Sequence, residues 1–301
     1  MEIKAFFDSR TSTLTYVVYD PSSKDAVIID PVLDYDPVGS KVWTESVSKI
    51  LTFIEDNALT PRFILETHAH ADHLSGAQMI KEACPDAQVA IGERITIVQD
   101  IFRKEFNLPD DFPTDGSQFD HLLKENETLQ AGTLEFSVIF TPGHTPACAT
   151  CHFVDAIFTG DTLFMPDGGT GRCDFPAGSA KDMYHSIMHK LYTLPDETRV
   201  FVGHDYQPNG RELDYETTIG EQKRNNINLK EGMSEDEFIR FRNDRDRELS
   251  APRLLYQSIQ VNIDAGSLPK SEANGKRFLK IPINIFRPET RTENLALDEV
   301  G

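Results

Sequence analysis

Long hydrophobic runs are missing from this chain. Among its 301 residues none approaches the roughly 18 consecutive apolar positions of a transmembrane helix, so a helical membrane span is excluded. Cationic residues are scarce: 30 Lys and Arg stand against 49 Asp and Glu, a formal net charge of −19. A surface this acidic is repelled by a phosphate backbone or an anionic leaflet, which argues against nucleic-acid or membrane partners. The four cysteines, Cys84, Cys148, Cys151 and Cys173, are too few for a disulfide scaffold at this length, and free thiols are expected. No internal repeat or low-complexity tract is present, which argues against a solenoid. The opening MEIKAFFDSRTSTLTYVVYD has no basic n-region, long apolar h-region or Arg/Ser-rich presequence, so a cytoplasmic location is expected.

What is there is ordinary for a folded protein: 39% hydrophobic and 26% charged residues. Three apolar runs between Ile3 and Val32, separated by SRTST and PSSKD, predict a β-meander. Apolar residues at helical spacing predict a helix over Glu45 to Ala58, and RFILE (Arg62 to Glu66) a strand after it. Helices are expected at Ala77 to Ala83, Ile95 to Phe106 and Ser179 to Leu194, the last opened by Ser179 and Asp182 at capping-box spacing. Strands are expected at 88–91, 134–140, 147–154, 156–158 and 199–202, and a long loop over Asn107 to Asn126. From about Asn209 the chain reads as helical and charged, with a second capping box at Ser234 and Glu237, ending in an irregular Pro-containing tail. This order fits two mixed sheets with helices outside better than strict βαβ alternation.

The chemistry concentrates at strand ends. His68, His70, Asp72 and His73 fall within six residues, just past the RFILE strand. In an extended segment His68 and His70 point the same way, and the following turn can bring Asp72 and His73 to a neighbouring point. Imidazole and carboxylate are the ligand set of Zn, Fe or Mn. His144 in TPGHT, Asp161 in FTGD and His204 in VGHD also follow β-forming runs and can reach the same edge. The remaining histidines have plainer readings. His185 and His189 lie at i and i+4 but lack the Glu of H-E-x-x-H, so they read as surface or half-buried side chains. CATC, Cys148 to Cys151, invites a redox reading, but its setting is that of a buried strand rather than a helix start.

Together, T67-H-x-H-x-D-H73, TPGHT, FTGD and GHDY resemble the metallo-β-lactamase superfamily, with all seven positions of its metal cleft in order. The resemblance implies an α/β (α+β) αββα sandwich, two mixed β-sheets flanked by helices. Residues 1–210 would form the catalytic domain and 211–301 a helical and irregular extension packed on the same domain. Within the superfamily, GTGRCDF (Gly169 to Phe175), the SAKDMYHSI helix and LYTLP resemble the glutathione-persulfide dioxygenases and their sulfide-detoxifying bacterial relatives, a likeness that runs to about Arg287. The stretch from His73 to His144 is longer than in compact members, with an insert around Arg94 to Asn126. Thr170 stands where mammalian-type sequences have Cys, so no thiol at that position can be required.

The dioxygenase resemblance implies one Fe(II) per chain held by His68, His144 and Asp161, a two-His, one-carboxylate set with open positions. His70, Asp72, His73 and His204 would hold water and orient the ligands, or form a second metal site. Glutathione persulfide and O2 would be the substrates, and sulfide detoxification the role. Arg172, at the position where related thioesterases place a cation for glutathione, and Tyr206 at the pocket rim are the implied substrate-binding residues; an internal ion pair of Arg172 with Asp174 is the plainer alternative. A homodimer is expected by resemblance. Two rival readings remain at this level. All seven ligands could hold two Zn, or mixed Fe and Zn, in a glyoxalase II-like dinuclear thioester hydrolase (a hydroxyacylglutathione hydrolase). The protein could also be a non-catalytic metal-binding persulfide sensor.

Overall fold

The computed structural model describes residues 1–284; Arg287, where the resemblance ends, and the tail beyond it lie outside the described residues. The predicted meander is present as β1 (Glu2–Asp8), β2 (Thr13–Tyr19) and β3 (Asp25–Ile29). There follow β4 (Val32–Asp36), β5 (Lys41–Trp43), α1 (Glu45–Asp56), β6 (Thr60–Glu66), β7 (Leu74–Ser75), α2 (Ala77–Ala83), β8 (Gln88–Gly92) and α3 (Ile95–Glu105). Next come β9 (His121–Leu123), β10 (Thr128–Ala131), β11 (Leu134–Phe140), β12 (Ala149–Phe153), β13 (Ala156–Phe158), α4 (Ala180–His189) and β14 (Arg199–Phe201). The chain closes with β15 (Glu216–Thr218), α5 (Ile219–Asn225), α6 (Glu235–Glu248) and α7 (Leu255–Asn262).

Two six-stranded mixed sheets, ordered β1-β2-β3-β6-β8-β9 and β10-β11-β12-β13-β14-β15, make the expected sandwich. The first is antiparallel through the meander and parallel from β3 to β9; in the second only the β13–β14 pair is parallel. The central strands read as unbroken apolar runs because both of their faces are covered. Leu14, Tyr16, Val18, Val27, Ile29, Phe63 and Leu65 face the inter-sheet core, joined there by Phe136, Val138 and Phe158. Val17, Ile28 and Ile64, one residue out of phase, face the apolar stripe of α1 (Val47, Ile50, Ile54) and residues of α2 and α3.

Four sequence expectations change. The loop over Asn107 to Asn126 contains β9, which pairs parallel with β8; at three residues it is too short to show a period in the sequence. A third sheet, β5-β4-β7, was not foreseen, because its strands are short and interrupted by Asp34, Asp36 and Lys41. The C-terminal stretch is not uniformly charged: α7 (LYQSIQVN) is mostly buried and packs against β7. The helix expected to reach Leu194 ends at His189, followed by a short 3-10 turn at Leu191–Thr193. Its Ser179 Oγ accepts from Asp182 N at 3.1 Å, and the reciprocal box forms at Ser234 and Glu237 of α6.

Candidate metal centre

β6 and β3 run parallel and end side by side, each in a buried acid, Glu66 and Asp30. The chain leaving β6 crosses the end of the sandwich as Thr67 to His73, and this fixes the ligand loop. Asp30, held in the left-handed region at φ 50, accepts from Thr67 N at 2.7 Å and from Thr67 Oγ1 at 2.8 Å. Thr67 Oγ1 lies 3.0 Å from His68 Nδ1 and so orients that ring with its Nε2 inward. Gly160 at φ +48 lets the FTGD turn close on this point: a Cβ there would sit 2.4 Å from Thr67 Oγ1.

The second sheet supplies the other donors. His144 is set by Nδ1 against the Arg172 carbonyl at 2.7 Å, and its Nε2 lies 3.6 Å from Asp161 Oδ2. His68 Nε2 lies 3.9 Å from the same oxygen. One donor atom from each of His68, His144 and Asp161 falls within 4.8 Å of the other two, all three residues being buried. His70, Asp72 and His73 form a second group within the same distance, with Asp72 half-buried. His204 joins the two sets, its Nε2 3.2 Å from Asp72 Oδ2 and 3.3 Å from Asp161 Oδ1. His204 Nδ1 faces Ser12 O at 3.2 Å and Thr13 Oγ1 at 3.3 Å. All seven ligand candidates read from the sequence thus meet at one end of the sandwich.

The donor set fits a cation. Glu66 Oε2, His68 Nε2, both ring nitrogens of His70, Asp72 Oδ2, His73 Nε2, Asp161 Oδ1 and His204 Nε2 are buried without a well-formed hydrogen bond. Buried polar groups are normally satisfied, so atoms gathered at one point in this state indicate ligands that expect an ion. Burial, reinforced by the surrounding imidazoles, drives His68 well below the ordinary histidine range and His73 to about 4, leaving both neutral as metal donors must be. His70 moves the other way: against the cost of burial, Asp30 Oδ1 at 3.0 Å and Glu66 Oε2 at 3.3 Å raise it well above the ordinary value.

The two residues expected to bind substrate are placed unequally. Arg172 donates from Nε and Nη2 to Asp174 at 2.6 and 2.8 Å and from Nη1 to Ser250 O at 2.7 Å, so the internal ion pair is formed. Its side chain still borders each of the three cavities that open at the centre. Tyr206, 58% exposed, stacks on His204 with ring centroids 5.5 Å apart, at the rim. A cleft of about 660 Å³, bordered by Arg10, Tyr35, Trp43, Asp72, Tyr206 and Arg253, reaches His144 and Asp161. A more apolar cavity of about 340 Å³, walled by Phe102, Phe106, Phe175 and Leu255, reaches His144 from the side of the insert helix α3. CATC supports the centre without offering a reactive thiol: Ala149 N donates to Thr67 O at 2.9 Å, Cys148 Sγ lies 3.2 Å from Thr145 Oγ1 with burial pushing its thiol up to about 12, and Cys151 lies on β12 in the inter-sheet core.

Sequence reasoning missed the groups that hold the ligands: Asp30, Glu66, Ser75 and Asn262. An acid closing an apolar strand, as in AVIID and RFILE, is a usable signal for the first two. Asn262 lies 189 residues beyond His73, and nothing in its local sequence announces it.

Comparison with known proteins agrees with this geometry. Residues 9–204 match the family model described as "Metallo-beta-lactamase superfamily". "Glyoxylase B2" of Dictyostelium discoideum is 46% identical over 95% of this chain and 98% of its own length. The human mitochondrial persulfide dioxygenase ETHE1 is 27% identical, with 88% of each chain covered. Among solved structures, ETHE1 from Myxococcus xanthus superposes with a TM-score of 0.70 at 31% identity, covering 89% of this chain and all of that one.

Proposed function

The chain belongs to the metallo-beta-lactamase superfamily, and from that premise we propose that it is a persulfide dioxygenase, oxidising glutathione persulfide to sulfite and glutathione. The observation that carries this reading is the grouping of His68, His144 and Asp161, with His70 tied instead to the Asp30 and Glu66 carboxylates. Two imidazoles and one carboxylate are the donor set of non-haem Fe(II) sites that keep positions open for substrate and O2. The likeness to ETHE1 in sequence and fold supports the same choice.

Fe(II) held by His68, His144 and Asp161 would supply a redox-active centre at which O2 and the persulfide can meet, the four electrons that reduce O2 coming from the terminal sulfur itself. The balance is one persulfide, one O2 and one water in; glutathione, sulfite and two protons out. The rest is the work of this chain. Thr67 and the Arg172 carbonyl lock the His68 and His144 rings through Nδ1 and leave Nε2 to the metal. Asp72 and His204, 3.2 Å apart beside Asp161, hold water and a proton at the far side of the centre. Tyr206 closes the rim, and Arg172, braced by Asp174 and the Ser250 carbonyl, sets a fixed positive charge beside the cleft for a glutathione carboxylate. Such bracing fixes the guanidinium before substrate arrives, so less side-chain freedom is lost on binding.

One observation favours a second reading. His70, Asp72 and His73 also bring their donors within 4.8 Å, as a dinuclear thioester hydrolase requires, and the name of the Dictyostelium relative points the same way. The deciding experiment is oxygen uptake by anaerobically purified, Fe(II)-loaded protein on adding glutathione persulfide, with sulfite assayed at the end and His144→Ala as control. A parallel arm offers a hydroxyacyl-glutathione thioester to Zn(II)-loaded protein. Uptake that yields sulfite and disappears in the variant is the expected result. Thioester hydrolysis, with no uptake from protein that retains its iron, would refute the proposal in favour of the hydrolase.

A further inference from the structure

The side chain of Asn262, the last residue of α7, is buried against the ligand loop although it lies far beyond the family-matched region. Its Nδ2 donates to the His70 carbonyl and to the His73 carbonyl, both at 2.8 Å, and its Oδ1 accepts from Ser75 N at 2.8 Å. The amide is therefore used at both ends, and only this orientation works, since a flipped amide would set its oxygen against two carbonyl oxygens. The grip returns to the ligands by a second route. Ser75 Oγ donates to Glu66 Oε1 at 2.5 Å, and Glu66 Oε2 faces His70 Nε2 at 3.3 Å.

We infer that Asn262 is a positioning residue for the metal centre: it fixes the backbone of residues 70–73 and thereby the donor atoms of His70, Asp72 and His73. It touches no reacting atom. Between β6 and β7 the backbone is paired at Thr67, whose carbonyl accepts from Ala149 N at 2.9 Å; at 70–73 the Asn262 side chain takes the place of a strand partner among the described residues. The inference goes beyond the choice of reaction, since either a dioxygenase or a hydrolase needs this loop held; it requires only that the centre binds metal.

The test separates positioning from mere docking of α7. Asn262→Asp keeps the shape but faces two carbonyl oxygens with an acceptor; Gln78→Ala cuts a different tie to the same region, Gln78 Nε2 to Ala265 O at 2.8 Å, without touching the ligand loop. Full-length protein, stripped of metal and titrated with Co(II) against a chelator, gives an affinity and a visible spectrum; thermal melts of the stripped protein give stability. Asn262→Asp is expected to lose Co(II) affinity by about tenfold and to alter the spectrum, the size typical of groups that orient metal ligands. Gln78→Ala should keep both while losing a comparable amount of stability. Unchanged Co(II) affinity and spectrum in Asn262→Asp would overturn the inference, as would an equal loss of affinity in Gln78→Ala. Wild-type protein that bound no Co(II) would overturn the metal centre and this inference together, whereas failure of oxygen uptake alone would strike only the proposed reaction.

Discussion

Removing the metal should cost this protein a large part of its thermal stability. Eight buried atoms, Glu66 Oε2, His68 Nε2, His70 Nδ1 and Nε2, Asp72 Oδ2, His73 Nε2, Asp161 Oδ1 and His204 Nε2, meet at the centre without a well-formed hydrogen bond. Five of them stand in ion pairs of 3.0–3.3 Å with one another or with Asp30, and the other three, His68 Nε2, His70 Nδ1 and His73 Nε2, do not. An unsatisfied buried polar group costs about 1–3 kcal/mol, so without an ion these three carry roughly 3 kcal/mol or more before water enters. The part an experiment reads is bounded by mass action: free metal at a thousand times its Kd stabilises by about 4 kcal/mol. For a chain of this size that corresponds to roughly 8–16 °C in Tm. The assay is calorimetry on iron-loaded and chelator-stripped protein, with metal content measured on both samples and Tm followed as metal is returned. Tm should climb with the logarithm of free metal. Stripped protein melting within about 2 °C of the loaded form would refute the reasoning, for it would mean that water or relaxation satisfies these atoms as well as a cation does.

Three further outcomes follow from other residues. Arg172→Met should raise KM for glutathione persulfide at least tenfold with metal content unchanged; a lower Tm at unchanged KM would make Arg172 only a brace for Asp174. Burial raises Asp264 to about 6, so its folded form holds a proton more tightly than the unfolded chain, and the residue weighs against stability as pH rises through that value. Being only partly buried, it should cost about 1 kcal/mol, and Asp264→Asn should raise Tm by a few degrees at pH 7.5 but not at pH 4 in matched melts. Burial also pushes Cys148, Cys151 and Cys173 well above the ordinary thiol range, while Cys84 is half-buried. A thiol reagent at pH 8 should therefore titrate Cys84 alone in folded protein and all four cysteines after denaturation; fast labelling of Cys173 would contradict the packing of the GRCDF segment.

How much of this was legible in sequence depended on whether the signal was local. α1 announces itself through helical spacing of its buried face, and the meander, β6 and β8 through short apolar runs bounded by turn residues, because both faces of these strands are covered. The seven ligand candidates were legible because each sits at a strand end beside turn residues, where side chains from distant strands converge. What stayed hidden is held by long-range contacts: β9 is short and gains its place only by pairing with β8, and α7 has too few charges and too little amphipathic contrast to stand out. Asp30 and Asn262 act on the histidines across 40 and 192 residues of chain, a relation no window of sequence contains. Arg172 shows the limit on the chemical side. Its motif implies a cation at the cleft, and the bond to Asp174, two residues on, reads from sequence only as an alternative, because which acid an Arg pairs with is set by the fold.

The hydrogen bonds from Asn262 to the His70 and His73 carbonyls also order events during synthesis. At about 5–20 residues per second, the 189 residues between His73 and Asn262 take roughly 10–40 s to make. The histidines of the first motif thus leave the ribosome well before the residue that grips their loop can follow them. The ungripped loop then ranks metals by intrinsic affinity, which favours copper and zinc over iron. A cell that needs iron here must either keep those metals scarce around the nascent chain or exchange them after α7 has docked.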